Sequence, residues 1–374
     1  MNHPDEIKAV LEDTIDEVAA KLRKEGKFQR DRLLPPETLI RLLLSMRGGS
    51  LQKELYDARV SASAAAFSMR RELLDEQAMK VLFENFNERC GWTSTFQGYR
   101  IFAVDGTTVN LPRNPKSESF VKNAGHPNGL NQLHVTPLFD VLSNTYQHFV
   151  IQPQKYQDEV GALLFMLAWY DFNTPTLIIA DRGFESYEVI GAFQEKPNAA
   201  FLIRVRQNQS AMREIQKLPQ QELDCDLNFY VTTSQTNEAK ASGHVIIQKR
   251  KERALVPPPP FGRKPDFSKK YQIKIRVVRF LLSTGEYETL ITNLPRRITL
   301  AQIRELYHAR WSIETYFRTL KYNIGLTNLH GKCDAYARQE IYSAMIMSNF
   351  TSKIVENIIT PKSSPFNLKR KRFT

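Results

Sequence analysis

Cysteine is scarce in this sequence. The 374 residues include three cysteines, Cys90, Cys225 and Cys333, which lie far apart in the chain. They form no Cys-x-x-Cys pair, and no histidine has a spacing that would complete a zinc site. A disulfide scaffold and a zinc finger are therefore excluded as organising principles. Long apolar runs are also missing, because no stretch approaches the ~18 apolar residues that a membrane span needs.

Acidic residues are in deficit. Asp and Glu number 40 against 52 Lys and Arg, which gives a formal net charge of +12. Such an excess favours a polyanion such as nucleic acid as the partner, although many basic proteins are merely soluble. The chain opens with an acidic amphipathic segment, unlike a signal peptide, so we expect a cytoplasmic protein. With 42% hydrophobic residues over this length, we expect two or three folded domains and not a disordered chain.

The first 95 residues have a helical pattern, with apolar residues three and four positions apart. Pro35-Pro36 and Gly48-Gly49 are expected to divide the region into short helices. Residues 50–73 are typical of two helices around 60–63. This pair is either a DNA-binding helix pair or part of a plain helical bundle.

From residue 99 the pattern becomes that of an α/β protein. Two short apolar runs, 101–104 and 177–180, are predicted to be buried strands, which stop at Asp105 and Asp181. A hairpin is expected from two β-rich runs, 133–141 and 146–151. Helices are expected at 158–170 and 187–194, and one more strand at 201–205. This layout predicts helices packed on a mixed sheet.

Residues 206–288 are predicted to be a β-rich basic insertion into the α/β domain. Strands are expected at 229–233, 244–249, 271–282 and 287–292, with a rigid proline loop at 257–260. Its basic side chains include Lys249, Arg250, Lys251, Arg253, Arg263, Lys264, Lys274, Arg276 and Arg279. These charges either contact nucleic acid or form an ordinary solvated face.

A helix is expected to begin at Thr299, where Thr299 and Gln302 have the spacing of a capping box. Its apolar residues form one stripe, which we expect to be buried. Beside it, four polar residues fall on a second stripe: Tyr307, Arg310, Glu314 and Lys321. This stripe suits a phosphate-rich ligand, although Arg310 and Glu314 alone are also typical of ordinary i,i+4 ion pairing.

The two strand-end aspartates suggest a cation site. If neighbouring strands bring Asp105 and Asp181 side by side, the two carboxylates repel unless a cation lies between them. With Glu314 they supply the oxygen ligands for one or two Mg²⁺ ions, as in phosphodiester chemistry. The histidines His126, His134 and His308 have no metal-binding spacing, so we expect them to be structural or close to DNA.

These residues resemble those of the DDE transposases of bacterial insertion sequences, specifically the insertion sequence four type. The family pattern Y-x2-R-x3-E-x6-K is met by Tyr307, Arg310, Glu314 and Lys321. The aspartate blocks resemble residues 104–107 and 180–184, and the likeness also covers 65–73 and 289–295. It therefore extends over roughly residues 35–350.

The resemblance implies a ribonuclease H-like α/β core, a mixed sheet with helices, a β-rich insertion and a helical N-terminal region. The expected parts are a DNA-binding region at 1–95, the catalytic core at 96–205 and 289–350, the insertion at 206–288, and a basic tail at 351–374. Metal-binding catalytic carboxylates would be Asp105, Asp181 and Glu314. DNA-binding residues would be Tyr307, Arg310, Lys321, Arg182, Lys249, Arg250 and Lys251.

The implied activity is cut-and-paste DNA transposition with two Mg²⁺ or Mn²⁺ ions. The expected partners are the terminal inverted repeats, target DNA and a second copy of the chain in a homodimer, in the bacterial cytoplasm and on the nucleoid. Two alternatives stay open: a nuclease or resolvase that cuts without joining, and a transposase derivative, inactive or truncated, that acts as a DNA-binding repressor. The basic segment 367–374 ends the chain sooner than the resemblance leads us to expect.

Overall fold

The structure is a computed structural model, and it describes residues 4–30, 33–91, 94–206, 210, 212–248 and 265–358. Several residues that the sequence singles out lie outside these ranges: Lys249, Arg250, Lys251, Arg253, Arg263, Lys264, the proline loop 257–260 and the basic segment 367–374.

The N-terminal region is helical, as predicted. Its helices are α1 (Pro4–Lys24), α2 (Pro36–Ser45), α3 (Leu51–Asp57), α4 (Ala64–Arg71) and α5 (Glu76–Cys90). The side chains of Ser50, Ser63 and Asp75 cap the last three by accepting a backbone N–H of the first turn. The prolines begin α2, and Gly48-Gly49 separates it from α3.

Strands, joined later by helices, begin after residue 99. In chain order these are β1 (Arg100–Val104), β2 (Thr107–Leu111), β3 (Phe120–Asn123), β4 (His126–Asp140), β5 (Thr145–Pro153), α6 (Glu159–Trp169), β6 (Thr176–Ala180), α7 (Tyr187–Glu195), β7 (Ala199–Arg204), α8 (Arg213–Gln216), β8 (Leu223–Thr232), α9 (Asn237–Ala241), β9 (Val245–Ile246), β10 (Tyr271–Leu281), β11 (Tyr287–Thr292), α10 (Leu300–Ala309), α11 (Trp311–Tyr322) and α12 (Asp334–Ile358).

The eleven strands of the described residues form one mixed sheet, so the predicted α/β fold, a mixed sheet with helices, is confirmed. Strand β1 pairs antiparallel with β4, which pairs antiparallel with β5. On its other side β1 pairs parallel with β6, and β6 pairs parallel with β7. Strands β1, β5, β6 and β7 therefore run in the same direction and end at the same edge of the sheet.

The sequence predicted a strand that stops at Asp105, but in the structure the extended chain continues beyond this residue as β2. Pairing with β4 pauses over Asp105 and Gly106 and resumes in the same register in β2, since Val104 lies opposite Leu138 and Thr107 opposite Val135. The sequence did not predict β2 because its residues are mostly polar. Asp105 consequently lies between β1 and β2, one residue beyond the last pair that β1 makes with β6.

Apolar side chains cover both faces of the sheet. On one face, helices α6 and α7 bury Phe102 and Ile178 with their own leucines and aromatic residues. On the other face Ala103 packs in a core shared with α1, α2, α5, α11 and α12, while Ile101 packs against α10. The N-terminal helices and the sheet therefore share one continuous apolar core.

Strands β8, β10 and β11 extend this same sheet in the order β7-β11-β10-β8-β9. The expectation that Arg276 and Arg279 face solvent or nucleic acid is wrong, because both are buried. Arg276 donates to Asp224 in a two-pronged pair at 2.8 and 2.7 Å, and Arg279 donates to Thr289. Asp224 thus neutralises Arg276, and hydrogen bonds within the sheet hold Arg279, so both side chains belong to the interior of the fold.

The helix predicted from Thr299 is divided in two. Thr299 and Gln302 form the expected capping box at the start of α10. At Arg310 the backbone N–H donates to Tyr307 three residues back, and this tighter turn separates α10 from α11. The apolar stripe is buried as predicted, with Leu306 and Ile313 on the two sides of the break.

A buried ion pair joins the N-terminal helices to α12. Arg71 of α4 donates to Glu340 at 2.6 Å, and both side chains are more than nine-tenths buried. Glu340 also accepts the backbone N–H of His330 at 2.7 Å.

Among the described residues, no helix combines the length and apolar character that a membrane span requires.

Candidate active site

The fold brings Asp105 and Asp181 together at one edge of the sheet. Val104 and Ala180 lie opposite each other in the parallel pair β1–β6, and each aspartate is the next residue along its strand. Asp181 accepts the backbone N–H of Gly183 at 2.8 Å, which begins a short 3₁₀ turn. Asp105 accepts the N–H of Gly106 at 2.8 Å. Both carboxylates are thus held by the backbone that follows them.

Asp105 lies in an environment that disfavours its charge. Burial is the largest of the effects that raise the pKa of this carboxyl to about 6. The negative charges of Asp181 and Glu159 act in the same direction, while the Gly106 N–H and Arg310 oppose the rise. The side chain is 26% exposed. A carboxylate in this setting gains from a nearby cation.

Arg310 connects the helix to the sheet edge. Its Nη1 lies 3.6 Å from Oδ2 of Asp105, and its Nη2 donates to Oε1 of Glu314 at 2.9 Å. The ordinary i,i+4 ion pair expected from the sequence is therefore present, and the same guanidinium also reaches the aspartate. Glu314 is 54% exposed, in the first turn of α11. One buried arginine thus bridges two of the three predicted carboxylates.

The other predicted residues differ in their surroundings. Tyr307 is buried beneath Arg310, and burial raises its pKa to about 12. Lys321, in the last turn of α11, is half-buried, and desolvation lowers its pKa. Arg182 is exposed immediately after Asp181. Lys321 thus shares α11 with Glu314, Tyr307 lies in the preceding helix α10, and Arg182 directly follows Asp181.

Three residues that the sequence did not point to also lie in this region, together with His134, which was expected to be structural or close to DNA. Arg204 ends β7 beside Asp181, because Ala180 lies opposite Ile203. Its Nε is 3.1 Å from Oε1 of Glu288, and burial raises the pKa of that glutamate. His134 and Glu159 lie on the other side of Asp105, with 2.9 Å between Nε2 and Oε1. For Glu159 the available signal was its place at the start of a helix that follows a strand parallel to β1.

The donor set of this site suits a hard divalent cation. Asp105 and Asp181 are neighbouring carboxylates, the ligand type that Mg²⁺ and Mn²⁺ prefer. In the ranges that the structure describes, no three His, Cys, Asp or Glu side chains are already gathered around one point. The positive charge between Asp105 and Glu314 comes from the guanidinium of Arg310, so Glu314 would have to exchange this partner for an ion.

A protein family and a solved structure are similar to this chain. A family model described as "Transposase DDE domain" matches residues 96–350. A solved structure described as a "piggyBac transposase synaptic complex with hairpin DNA" is similar to the chain with a TM-score of 0.35 and 11% identity, over 96% of this chain and 80% of that one. No curated protein sequence matches the chain.

Proposed function

The chain belongs to the family of transposases with a DDE domain, and from this premise we propose that it performs cut-and-paste DNA transposition. It would hydrolyse a phosphodiester at each transposon end, free a 3′-OH and direct that hydroxyl at target DNA. The observation that carries this proposal is the pairing of Asp105 with Asp181 at the shared sheet edge, with Glu314 linked to them through Arg310.

We assign Asp105, Asp181 and Glu314 as the carboxylates that hold divalent cations, Mg²⁺ or Mn²⁺ and two in number. When bound, these ions supply Lewis acid stabilisation of the attacking and leaving oxygens. The chain itself supplies the charge and the rigidity: Asp105 and Asp181 are anchored by backbone N–H groups, which limits the freedom that ion binding would otherwise have to remove.

Positive groups around the carboxylates would hold the DNA. Arg310 is nine-tenths buried, and its fork of donors fits a phosphate once Glu314 turns to a cation. Lys321 would also contact DNA near the scissile phosphate, and Arg182 would add a further DNA contact. Tyr307 serves as a contact residue and not as a nucleophile, because its hydroxyl is buried and its pKa is raised to about 12.

The remaining parts of the proposal follow the family resemblance. The DNA partners are the terminal inverted repeats of an insertion sequence four element and target DNA, bound by a homodimer in the bacterial cytoplasm at the nucleoid. Lys249, Arg250 and Lys251 are proposed to add phosphate contacts. The net charge of +12 supports such a partner, since each neutralised phosphate releases counterions.

The test uses the DNA that flanks the gene, which supplies the candidate terminal repeats. We expect the full chain to nick a repeat-containing duplex when Mg²⁺ or Mn²⁺ is present, and we expect Asp105→Asn and Glu314→Gln to bind the same DNA without nicking it. The matched control is Glu118→Gln, an exposed glutamate between β2 and β3, which should nick like the wild type.

A second substrate, with the 3′-OH already exposed, separates joining from cutting. Strand transfer from this end into a plasmid is the result expected for a transposase. Nicking without transfer would identify a nuclease or resolvase. Tight end binding by the wild type with no product at any Mg²⁺ or Mn²⁺ concentration would contradict the proposal and support a DNA-binding repressor.

A further inference from the structure

A fourth carboxylate, that of Glu159, lies at the edge of the sheet where Asp105 and Asp181 meet. Strand β5 runs parallel to β1 and ends at this edge, and α6 begins a few residues later. Asp158 caps this helix by accepting the N–H of Gly161 at 2.9 Å, which places Glu159 at the first helical position. The fold therefore places Glu159 on one side of Asp105, whereas Arg310 and Glu314 lie on the other side.

The side chain of Glu159 is held in place by its neighbours. Its Oε1 accepts from Nε2 of Gln157 at 3.1 Å and lies 2.9 Å from Nε2 of His134. The contact with His134 lowers the pKa of Glu159 and keeps it ionised. Both described contacts fall on Oε1, and the side chain is 29% exposed. The carboxylate is thus oriented but remains accessible to a ligand.

His134 is itself buried against this site. The side chain is 3% exposed, and its Nδ1 lies 3.5 Å from the hydroxyl of Thr108. Its Nε2 is shielded from solvent, and although it is close to Glu159 it is poorly aligned for a hydrogen bond with the described residues. A buried ring nitrogen directed at a carboxylate group, without a well-aligned partner, is the kind of polar group that the oxygen ligands around a bound ion would satisfy.

Gly106 shows how closely these groups approach Asp105. A Cβ atom at residue 106 would lie 2.0 Å from Oε1 of Glu159 and 2.3 Å from Nε2 of His134, distances that no side chain can occupy. A larger residue at position 106 would therefore force the Glu159 carboxylate and the buried His134 ring to shift. The negative charge of Glu159 acts on Asp105 together with that of Asp181, and a bound cation would relieve this repulsion.

From this geometry we infer that Glu159 is a further cation-binding carboxylate of the transposase site, and that His134 is the positioning residue that holds it. The inference rests on the proposed function, since it concerns the ion that Asp105 and Asp181 would bind. A fourth carboxylate adds negative charge on the side of Asp105 away from Arg310. The ion is then held before DNA arrives, while Glu314 is still paired with the arginine.

The test is Mn²⁺ binding to the full chain without DNA, followed by electron paramagnetic resonance of the free ion. We expect Glu159→Gln to weaken the tightest Mn²⁺ site by about tenfold, the lower end of what loss of a supporting ligand costs. The control variant Glu118→Gln should keep the wild-type affinity. Asp105→Asn serves as the reference for loss of the site.

His134 is tested through a double-mutant cycle. If His134 acts by holding Glu159, His134→Gln should weaken Mn²⁺ binding alone but add nothing in the Glu159→Gln background. Circular dichroism and thermal unfolding without metal check that each variant is folded. If Glu159→Gln does not fold, Glu159→Asp keeps the charge on a shorter side chain, and binding several-fold weaker than wild type is expected.

The outcomes separate the inference from the proposed function. Wild-type affinity in Glu159→Gln or Glu159→Asp, with binding lost in Asp105→Asn, would overturn the role of Glu159 and leave the proposed site intact. Unchanged binding in Asp105→Asn would show that the proposed metal site itself is wrong. Additive effects of the His134 and Glu159 substitutions would overturn the positioning role of the histidine.

Discussion

Replacing Asp105 with asparagine is expected to stabilise the metal-free protein at pH 8 while abolishing DNA cleavage. The reason is that the folded protein holds this carboxyl in a partly buried place beside Asp181, where its charge is unfavourable. Asparagine has nearly the same shape and no charge. A functional carboxylate that costs stability until its cation binds is a common property of enzyme sites.

The size and sign of the effect follow from the pKa of Asp105, which the fold raises from 3.8 to about 6. This difference corresponds to about 3 kcal/mol of free energy of unfolding. Between these two values the folded state binds more protons than the unfolded state, so stability falls as the pH rises through the window. The penalty is absent below the unfolded pKa and complete above about pH 7.

The assay is urea unfolding of wild type and Asp105→Asn in the presence of a chelator, at several values between about pH 4 and pH 8. The variant should unfold with a free energy up to about 3 kcal/mol higher at the upper end, and the two curves should converge at the lower end. Asp13→Asn, on the exposed face of α1, is the control and should change stability by less than about 0.5 kcal/mol.

Two results would refute this reasoning. One is a variant that is no more stable than wild type at pH 8 without metal, which would mean that Asp105 carries no charge penalty. The other is a stability difference that does not change with pH, which would assign the effect to packing. Saturating Mg²⁺ should stabilise the wild type more than the variant, because only the wild type has the charge that we propose to bind the ion.

Two further substitutions test the surroundings of the site and of the core. Gly106→Ala should destabilise the protein by about 1–3 kcal/mol in thermal unfolding, because the new Cβ would overlap two side chains. Gly125→Ala is the control and should be tolerated, since the nearest neighbour of its Cβ would lie at 3.5 Å. Equal effects of the two substitutions would contradict the close approach at residue 106. Glu340→Gln should lower the free energy of unfolding in urea by about 3–5 kcal/mol, because it leaves the buried Arg71 without its ion-pair partner. Asp57→Asn, in an exposed i,i+4 pair, is the control and should lower it by less than about 0.5 kcal/mol. Similar losses in both variants would refute the structural role of the buried pair.

Much of the fold could be predicted because its signals are local. The capping box at Thr299 and the proline start of α2 act within one helical turn, and the apolar runs of β1 and β6 identify buried strands without knowledge of their partners. The aspartates after these two runs could be expected at one edge, since parallel strands end together. The structure places them there.

Other features depended on partners far away in the chain. The polar residues of β2 gave no strand signal, because that strand is specified by its pairing with β4. Arg276 is basic in a basic segment and is nevertheless buried, because Asp224 lies on the neighbouring strand. A charge pattern by itself cannot distinguish such an arginine from one that faces DNA.

The sequence by itself determined the alternation of strands and helices, the positive net charge and the three carboxylates in their order along the chain. These properties depend on residue type and on spacing within a few positions. Only the tertiary structure decided that Arg310 bridges Asp105 and Glu314, and that His134 and Glu159 approach Asp105 over a glycine. The physical reason is that burial and charge pairing arise between elements, where the register of the sheet and the packing of helices on it determine which groups meet.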